Sequence, residues 1–251
     1  MIIDSRVTQP LAAAVRNNAD WCDAVCRSHG VPGAVEGGVW ASPRRTPPLY
    51  PDAVTLSPAA TPDDVLSRID LSSPGASVKD SFGSLDLSAA GFEVLFEARW
   101  IHRPATEPAP RAGGWEPVGS AGRLHAWEAA WSGEGESEGL FRPSLLDDGA
   151  VFLAATSPAA DRVTAGAVAY PGAGVVGISN LFAAAEADDA DEVGEAAEGP
   201  DAAWRCCLAA TDRLWPGVPV VGYEHGDDLA AALRQGFEPV GPLRVWLRTD
   251  G

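Results

Sequence analysis

"VVGYEHGDDLAAALRQGFEPVGPLRVWL", residues 220–247, is the most legible stretch of the chain. A β-like run to Glu224 gives way to Asp227 and Asp228, then to an Ala/Leu pattern with Gly236 beyond its end. Acids in a first turn complement the positive end of a helix, and a glycine past the last turn accepts the left-handed backbone that ends it. An apolar run from Phe237 to Leu247 follows, so the stretch predicts strand, helix, strand. A second segment has the same order. "LSAAGFEVLFEARWIHR", residues 87–103, also passes from a short Ala/Leu piece through Gly-Phe-Glu into an apolar strand, with Trp100 standing in for Trp246. The match predicts an internal duplication of roughly a hundred residues, longer than solenoid periods. "RPATEPAPRAGG", residues 103–114, reads as the linker between the copies, which divides the chain into 1–104, 105–114 and 115–251.

Composition narrows the partners. The 251 residues carry a formal charge of −17, a surface that repels nucleic-acid backbones and anionic membranes and attracts small cationic molecules. No apolar run approaches the ~20 residues of a membrane span, and "MIIDSRVTQP" lacks the pattern of an export signal, so a cytoplasmic protein is expected. The oligomeric state stays open. The skew of arginine over lysine, with Lys79 the only lysine, is set down to coding bias. Cys22, Cys26, Cys206 and Cys207 are too few for a disulfide framework and read as reduced thiols. Cys22, Cys26 and His29 have helical metal-ligand spacing, but a structural zinc wants four ligands and no second Cys/His pair lies nearby. Buried thiols on a helix starting after Asn18 are expected instead, and no metal.

The second half predicts a helix over 124–133 packed by its Trp face and strands at 150–157, "RVTAGAVAY" and "VVGISNLF". The turn "PGAG" joins the last two as an antiparallel hairpin. A helix over "AAWRCCLAATDRLWPG" stops at Pro216-Gly217. The first half predicts strands at "VEGGVWAS" and "DAVTLSP" and a helix entered at Thr61-Pro62. The whole is an α/β chain, a mixed, mainly antiparallel sheet flanked by helices. The nine Trp mostly flank apolar runs, as core residues do.

On the order of these elements, and on residues 220–247 above all, the second half resembles the GCN5-related N-acetyltransferase (GNAT) family, over about 115–248. The first half would be a fainter copy, making two tandem GNAT-like units. The resemblance implies acetyl-CoA or another acyl-CoA as acyl donor, held by a loop reading Q/R-x-x-G-x-G/A between the fourth strand and the next helix. Such a loop wraps backbone N–H groups around the pyrophosphate at a helix N-terminus. Here that position lies between "VVGISNLF" and "DAAWRCCLAA". The thirteen residues from Glu186 to Glu198 there hold seven acids, no base and no G-x-G. They face a polyanion at a screening length of ~8 Å and argue against ordinary CoA binding.

The family's tyrosine acid, four residues before Gly-Phe, falls on Ala232, and its frequent Asn falls near His225. The resemblance therefore implies Tyr223, Glu224 and His225 as candidate catalytic residues: Tyr223 as acid, and the Glu224 carboxylate or His225 imidazole taking the amine's proton. Ser179, Asn180 and Leu181 are the candidate cofactor-binding residues. The plainer alternative is a strand-to-helix turn in which Asp227 caps the helix and His225 faces solvent. Gly172-x-Gly174-x-x-Gly177 has dinucleotide-fingerprint spacing, but "ISNLF" is β-like where that motif needs a helix. There is no G-x-S-x-G elbow around Ser179, and the lone lysine completes no P-loop.

Two functions stay open. One is a GNAT-like acyltransferase moving an acyl group from acyl-CoA to a small cationic amine. The other is a GNAT-fold protein that has lost CoA binding and serves as a ligand- or partner-binding protein, or runs other chemistry in the same cleft.

Overall fold

A 24-residue helix, α1 (Ser5–Ser28), opens the structure, a computed structural model that describes residues 5–72, 74–105, 114–133, 139–157, 162–183 and 200–249. It starts well before Asn18, where the sequence pattern placed its beginning, and it contains Pro10. Leu11 to Ala14 and Arg16 are good helix formers. Ala14, Asn17, Trp21, Cys22 and Val25 then form a buried stripe at helical spacing, and packing of such a face sustains a helix beyond its local propensity.

Four short elements follow: β1 (Ala34–Glu36), β2 (Val39–Ala41), β3 (Ala53–Thr55) and α2 (Pro62–Leu66). "VEGGVWAS" is thus a hairpin, not one strand, because Gly37 and Gly38 both take positive φ (58° and 78°), the turn geometry that matches strand twist. Thr61 and Asp64 close a capping box on α2, as Thr61-Pro62 led one to expect. Next come β4 (Ser77–Asp80), β5 (Phe92–Arg103) and β6 (Glu116–Pro117), of which β4 and β6 carry no clear sequence signal. The second half runs α3 (Ala121–Ser132), β7 (Val151–Ser157), β8 (Arg162–Gly172) and β9 (Val175–Ala183). It continues with α4 (Pro200–Leu214), β10 (Val220–Glu224), α5 (Gly226–Arg234) and β11 (Glu238–Arg248). Gly172 and Gly174 lie at the β8–β9 turn and Gly177 in β9, so the dinucleotide-like spacing belongs to a hairpin.

All the strands among the described residues join one eleven-stranded sheet in the order β1-β2-β3-β4-β11-β5-β10-β9-β8-β7-β6. The two strands entered by Gly-Phe-Glu, β5 and β11, pair antiparallel at its centre. Outward from them the order is β10-β9-β8-β7 on one side and β4-β3-β2-β1 on the other. Each side contains one parallel pair, β9 with β10 and β3 with β4; the other pairings are antiparallel. Each half's last strand lies against the other half: β11 pairs with β4, and β5 with β10. Most of the expected linker, 106–113, lies outside the described residues.

Helices cover both faces. On one, α1 and α3 bury Trp21, Trp127, Phe152 and Val168 together. On the other, α2 packs with Val39, Val78 and Trp246, and α4 and α5 pack on Ile101, Val176 and Val220. Trp127 lies 5.0 Å from Phe152, edge to face, and its Nε1 donates to the Leu153 carbonyl at 2.8 Å. A buried indole needs that partner.

Candidate functional site

The parallel strands β9 and β10 pair at only two positions, Val176 with Val220 and Gly177 with Val221. Both strands continue, β10 along β5 to Glu224 and β9 along β8 to Ala183, so a gap opens between them. At the mouth of the gap β9 bulges. Ser179 is opposite Val168 and Phe182 opposite Gly166, so Asn180 and Leu181 together oppose Ala167. Asn180 takes φ 53°, unusual for a residue with a side chain. A bulge leaves one residue out of the ladder and re-aims its backbone groups. The expected cofactor-binding residues Ser179, Asn180 and Leu181 are thus the bulged edge of the gap.

On the α1 side the gap leads into a cleft with about 260 Å³ of empty space, open solvent included. Asn17, Asn18 and Trp21 of α1, Tyr170 of β8, Ser179 of β9 and Gly222 of β10 are among its walls. Buried Asn17 fastens the helix here: its Nδ2 donates to the carbonyls of Tyr170 at 2.9 Å and Gly172 at 3.2 Å. A Cβ on Gly177 would lie 1.9 Å from Asn17 Oδ1, so the helix seats only because that residue is glycine. Beyond Asn18 lies Lys79 of β4, only 5% exposed. Its Nζ donates to Asn18 Oδ1 at 2.8 Å and to the Tyr223 hydroxyl at 3.4 Å, and stands 4.4 Å from the centre of the Tyr223 ring.

Tyr223, Glu224 and His225 are divided between the two faces. Tyr223 packs with Trp100 and α1, ring centres 5.5 Å apart. Glu224, the next residue of the strand, points to the opposite face, where Asp228 of α5 is its charged neighbour. Burial, reinforced by Asp228, pushes the Glu224 carboxyl up to about 8. Its cross-strand partner is Arg99, yet no salt bridge joins them among the described residues. Asp228 stands one helical turn before Ala232, so Glu224 lies on the face where the resemblance expects the tyrosine acid. Exposed His225 lies 5.5 Å from Phe96, on the Tyr223 side. It is itself the N-cap of α5 and makes no side-chain capping bond, while Asp227 lies inside the first turn, so Asp227 is not the cap.

Sequence reasoning missed Lys79, Asn17 and Asn18. That Lys79 is the sole lysine is the one signal the sequence offers for it. Of the three residues with metal-ligand spacing, Cys22 and Cys26 are buried thiols, both pushed up by desolvation, and His29 Nε2 lies 2.7 Å from the Leu140 carbonyl oxygen. No group of three His, Cys, Asp or Glu residues among the described residues is arranged to hold a metal. The acidic segment 186–198 lies outside the described residues, between the end of β9 and the start of α4. No helix among the described residues is long and apolar enough to cross a membrane.

No family model and no curated protein matches the sequence. Solved structures do match the fold. The chain is similar to a GCN5-related N-acetyltransferase from Kribbella flavida at 16% identity and a TM-score of 0.55, covering 95% of this chain and 96% of that one. A GNAT-family protein from Novosphingobium aromaticivorans aligns at 12% identity and a TM-score of 0.54, over 96% and 99% of the two chains. A Drosophila protein aligns at 12% and 0.54, over 99% and 97%. The chain has a GNAT-like fold. Identities this low carry architecture and leave activity to the site.

Proposed function

We propose that the chain is a GNAT-like N-acyltransferase that transfers an acyl group from acyl-CoA to a small amine. The observation that carries this reading is Glu224, a partly buried carboxyl raised to about 8 beside a gap whose other edge is the Ser179–Leu181 bulge. Acyl-CoA, when bound, supplies the activated acyl group. The gap suits an extended arm with amide groups, because the strand edges beyond Gly177 and Val221 have stopped pairing with each other. Ser179, Asn180 and Leu181 would hold that arm. At neutral pH Glu224 is mostly protonated, and it holds its proton on the α5 face, where the family's tyrosine is replaced by Ala232. This assigns Glu224 the acid's part, and leaves His225, on the other face beside Phe96, to take a proton from the amine.

The near-mirror strand order supports reading residues 1–104 and 115–251 as two GNAT-like units sharing one sheet, with 105–114 as linker. The net charge of −17 favours an acceptor with a positive group. A cytoplasmic setting suits four free cysteines. The second reading, a scaffold that no longer binds CoA, is favoured by the seven acids between Glu186 and Glu198.

Titration of the protein with acetyl-CoA at low and high salt separates the two. Micromolar binding, followed by release of free thiol with an amine and a rate that falls as pH rises through about 8, is the expected result. No heat and no thermal shift at millimolar acetyl-CoA would retire acyl transfer.

A further inference from the structure

We infer that the cleft beneath α1 recognises a carboxylate, bound at Asn18 with the charge of Lys79 behind it, so that the acceptor is an amine that also carries an acid group. The inference rests on the acyl-transfer reading for the word acceptor, and on geometry alone for the carboxylate.

Lys79 is the anomaly. Its ammonium has three donors and is nearly fully buried, yet its partners are an amide oxygen, a phenol and an aromatic face. No carboxylate among the described residues pairs with it. Elsewhere the protein pairs its less exposed cations: Arg103 with Asp212 at 3.3 Å and Arg45 with Asp52 at 2.6 Å. A buried cation without a counter-ion is costly to keep, and an anionic ligand would offset that cost.

Asn18 connects this charge to the cleft. Its Oδ1 accepts from Lys79 and lies 3.8 Å from the Cys22 sulfur, which leaves its Nδ2 donor without a partner among the described residues. Asn18 lines the cleft, as does Ser179 with its hydroxyl. Donors from α1 and β9 thus border a small space with a positive charge behind them, an arrangement for an oxyanion.

The cleft lies on the α1 side of the gap, opposite α4, the helix to whose N-terminus the resemblance assigns the donor's pyrophosphate, and on that reading the anion belongs to the acceptor rather than to the acyl donor. A simple cationic amine would meet the ammonium with like charge. An amino acid places its carboxylate there and leaves its amine for the gap.

The test titrates wild type, Lys79→Met and Asn18→Ala with glycine, acetate and ethylamine, without acyl-CoA, by calorimetry and thermal shift, with acetyl-CoA titrated in parallel. Glycine and acetate should bind wild type and ethylamine should not. Lys79→Met should weaken both carboxylates about tenfold or more while leaving acetyl-CoA binding unchanged. If Lys79→Met does not fold, Asn18→Ala, which keeps the ammonium, should report the same direction of loss. Wild type that ignores both carboxylates, or variants that bind them equally well, would overturn the inference whatever acetyl-CoA does. Lysine-dependent glycine binding with no acetyl-CoA binding would sink acyl transfer and leave the carboxylate site standing. Turnover that prefers ethylamine with succinyl-CoA over glycine with acetyl-CoA would move the carboxylate to the donor and overturn the assignment to the acceptor.

Discussion

The sheet has two parallel junctions in mirrored places, and they differ in what happens after the second pair. At β9/β10 the strands run on and diverge, with a bulge on one edge and Glu224 at the end of the other. At β3/β4 pairing is equally brief, Ala53 with Val78 and Val54 with Lys79, but both strands end one residue later. There the Ser81 N–H donates to Thr55 Oγ1 at 2.8 Å. The Asp80 carboxylate accepts from Leu85 N at 2.9 Å and Phe82 N at 3.3 Å, and the Ser81 carbonyl accepts from Trp100 Nε1 at 2.9 Å. Thr55, Asp80 and Ser81 are fully buried. Side chains bridge one junction where the other is left open. Lys79 of the closed junction points instead to Asn18 and Tyr223 beneath α1.

The largest effect should come from filling the open junction. Gly177→Leu would drive a side chain into Asn17, cost about 3 kcal/mol and lower Tm by about 6–12 °C, read by calorimetry. A near-neutral result would mean that α1 is not seated on β9 as described. Next is Glu224→Gln, expected to slow acyl transfer about a hundredfold with little change in acetyl-CoA affinity; an unchanged rate would remove Glu224 from the chemistry. The same variant has a signature in stability. Because the folded carboxyl lies near 8 against 4.5 in the open chain, its contribution is fully present below pH 4.5 and is lost as pH rises toward 8. The Gln variant should therefore gain Tm over wild type progressively across that window, and a constant difference would contradict the burial of Glu224.

Thr55→Val sharpens the contrast from the closed side. It strands the buried Ser81 N–H and should cost about 1–3 kcal/mol in chemical denaturation without altering acetyl-CoA binding. Altered binding would mean that the two junctions are coupled. The smallest effect concerns charge. Wild-type affinity for acetyl-CoA should rise with salt, and replacing the seven acids of 186–198 by their amides should raise affinity a few-fold at low salt and abolish that gain. Wild-type affinity that falls with salt would give this segment a different role.

Much of the fold was legible because its signals are local. Asp227, Asp228 and Gly236 mark the ends of α5, Thr61-Pro62 opens α2, and Gly-Phe-Glu announces both central strands. The start of α1 was not, since Pro10 and the paired asparagines argue locally against a helix that tertiary contacts hold. The candidate site was legible only in part. Residues 179–181 and 223–225 were singled out by their place in the pattern, whereas Asn17, Asn18 and Lys79 come from an N-terminal helix and a short strand with no motif.

By itself the sequence determined an acidic α/β chain with a GNAT-like order of elements, because periodicity, caps and turns are set by neighbours in the chain. Tertiary structure alone decided that Tyr223 and Glu224 serve opposite faces of one strand and that one parallel junction opens while its counterpart is bridged. It also brought the only lysine beneath the first helix, without a counter-ion among the described residues. These features depend on strands and helices far apart in the chain meeting across one sheet, where burial and desolvation, rather than residue type, set what each group does.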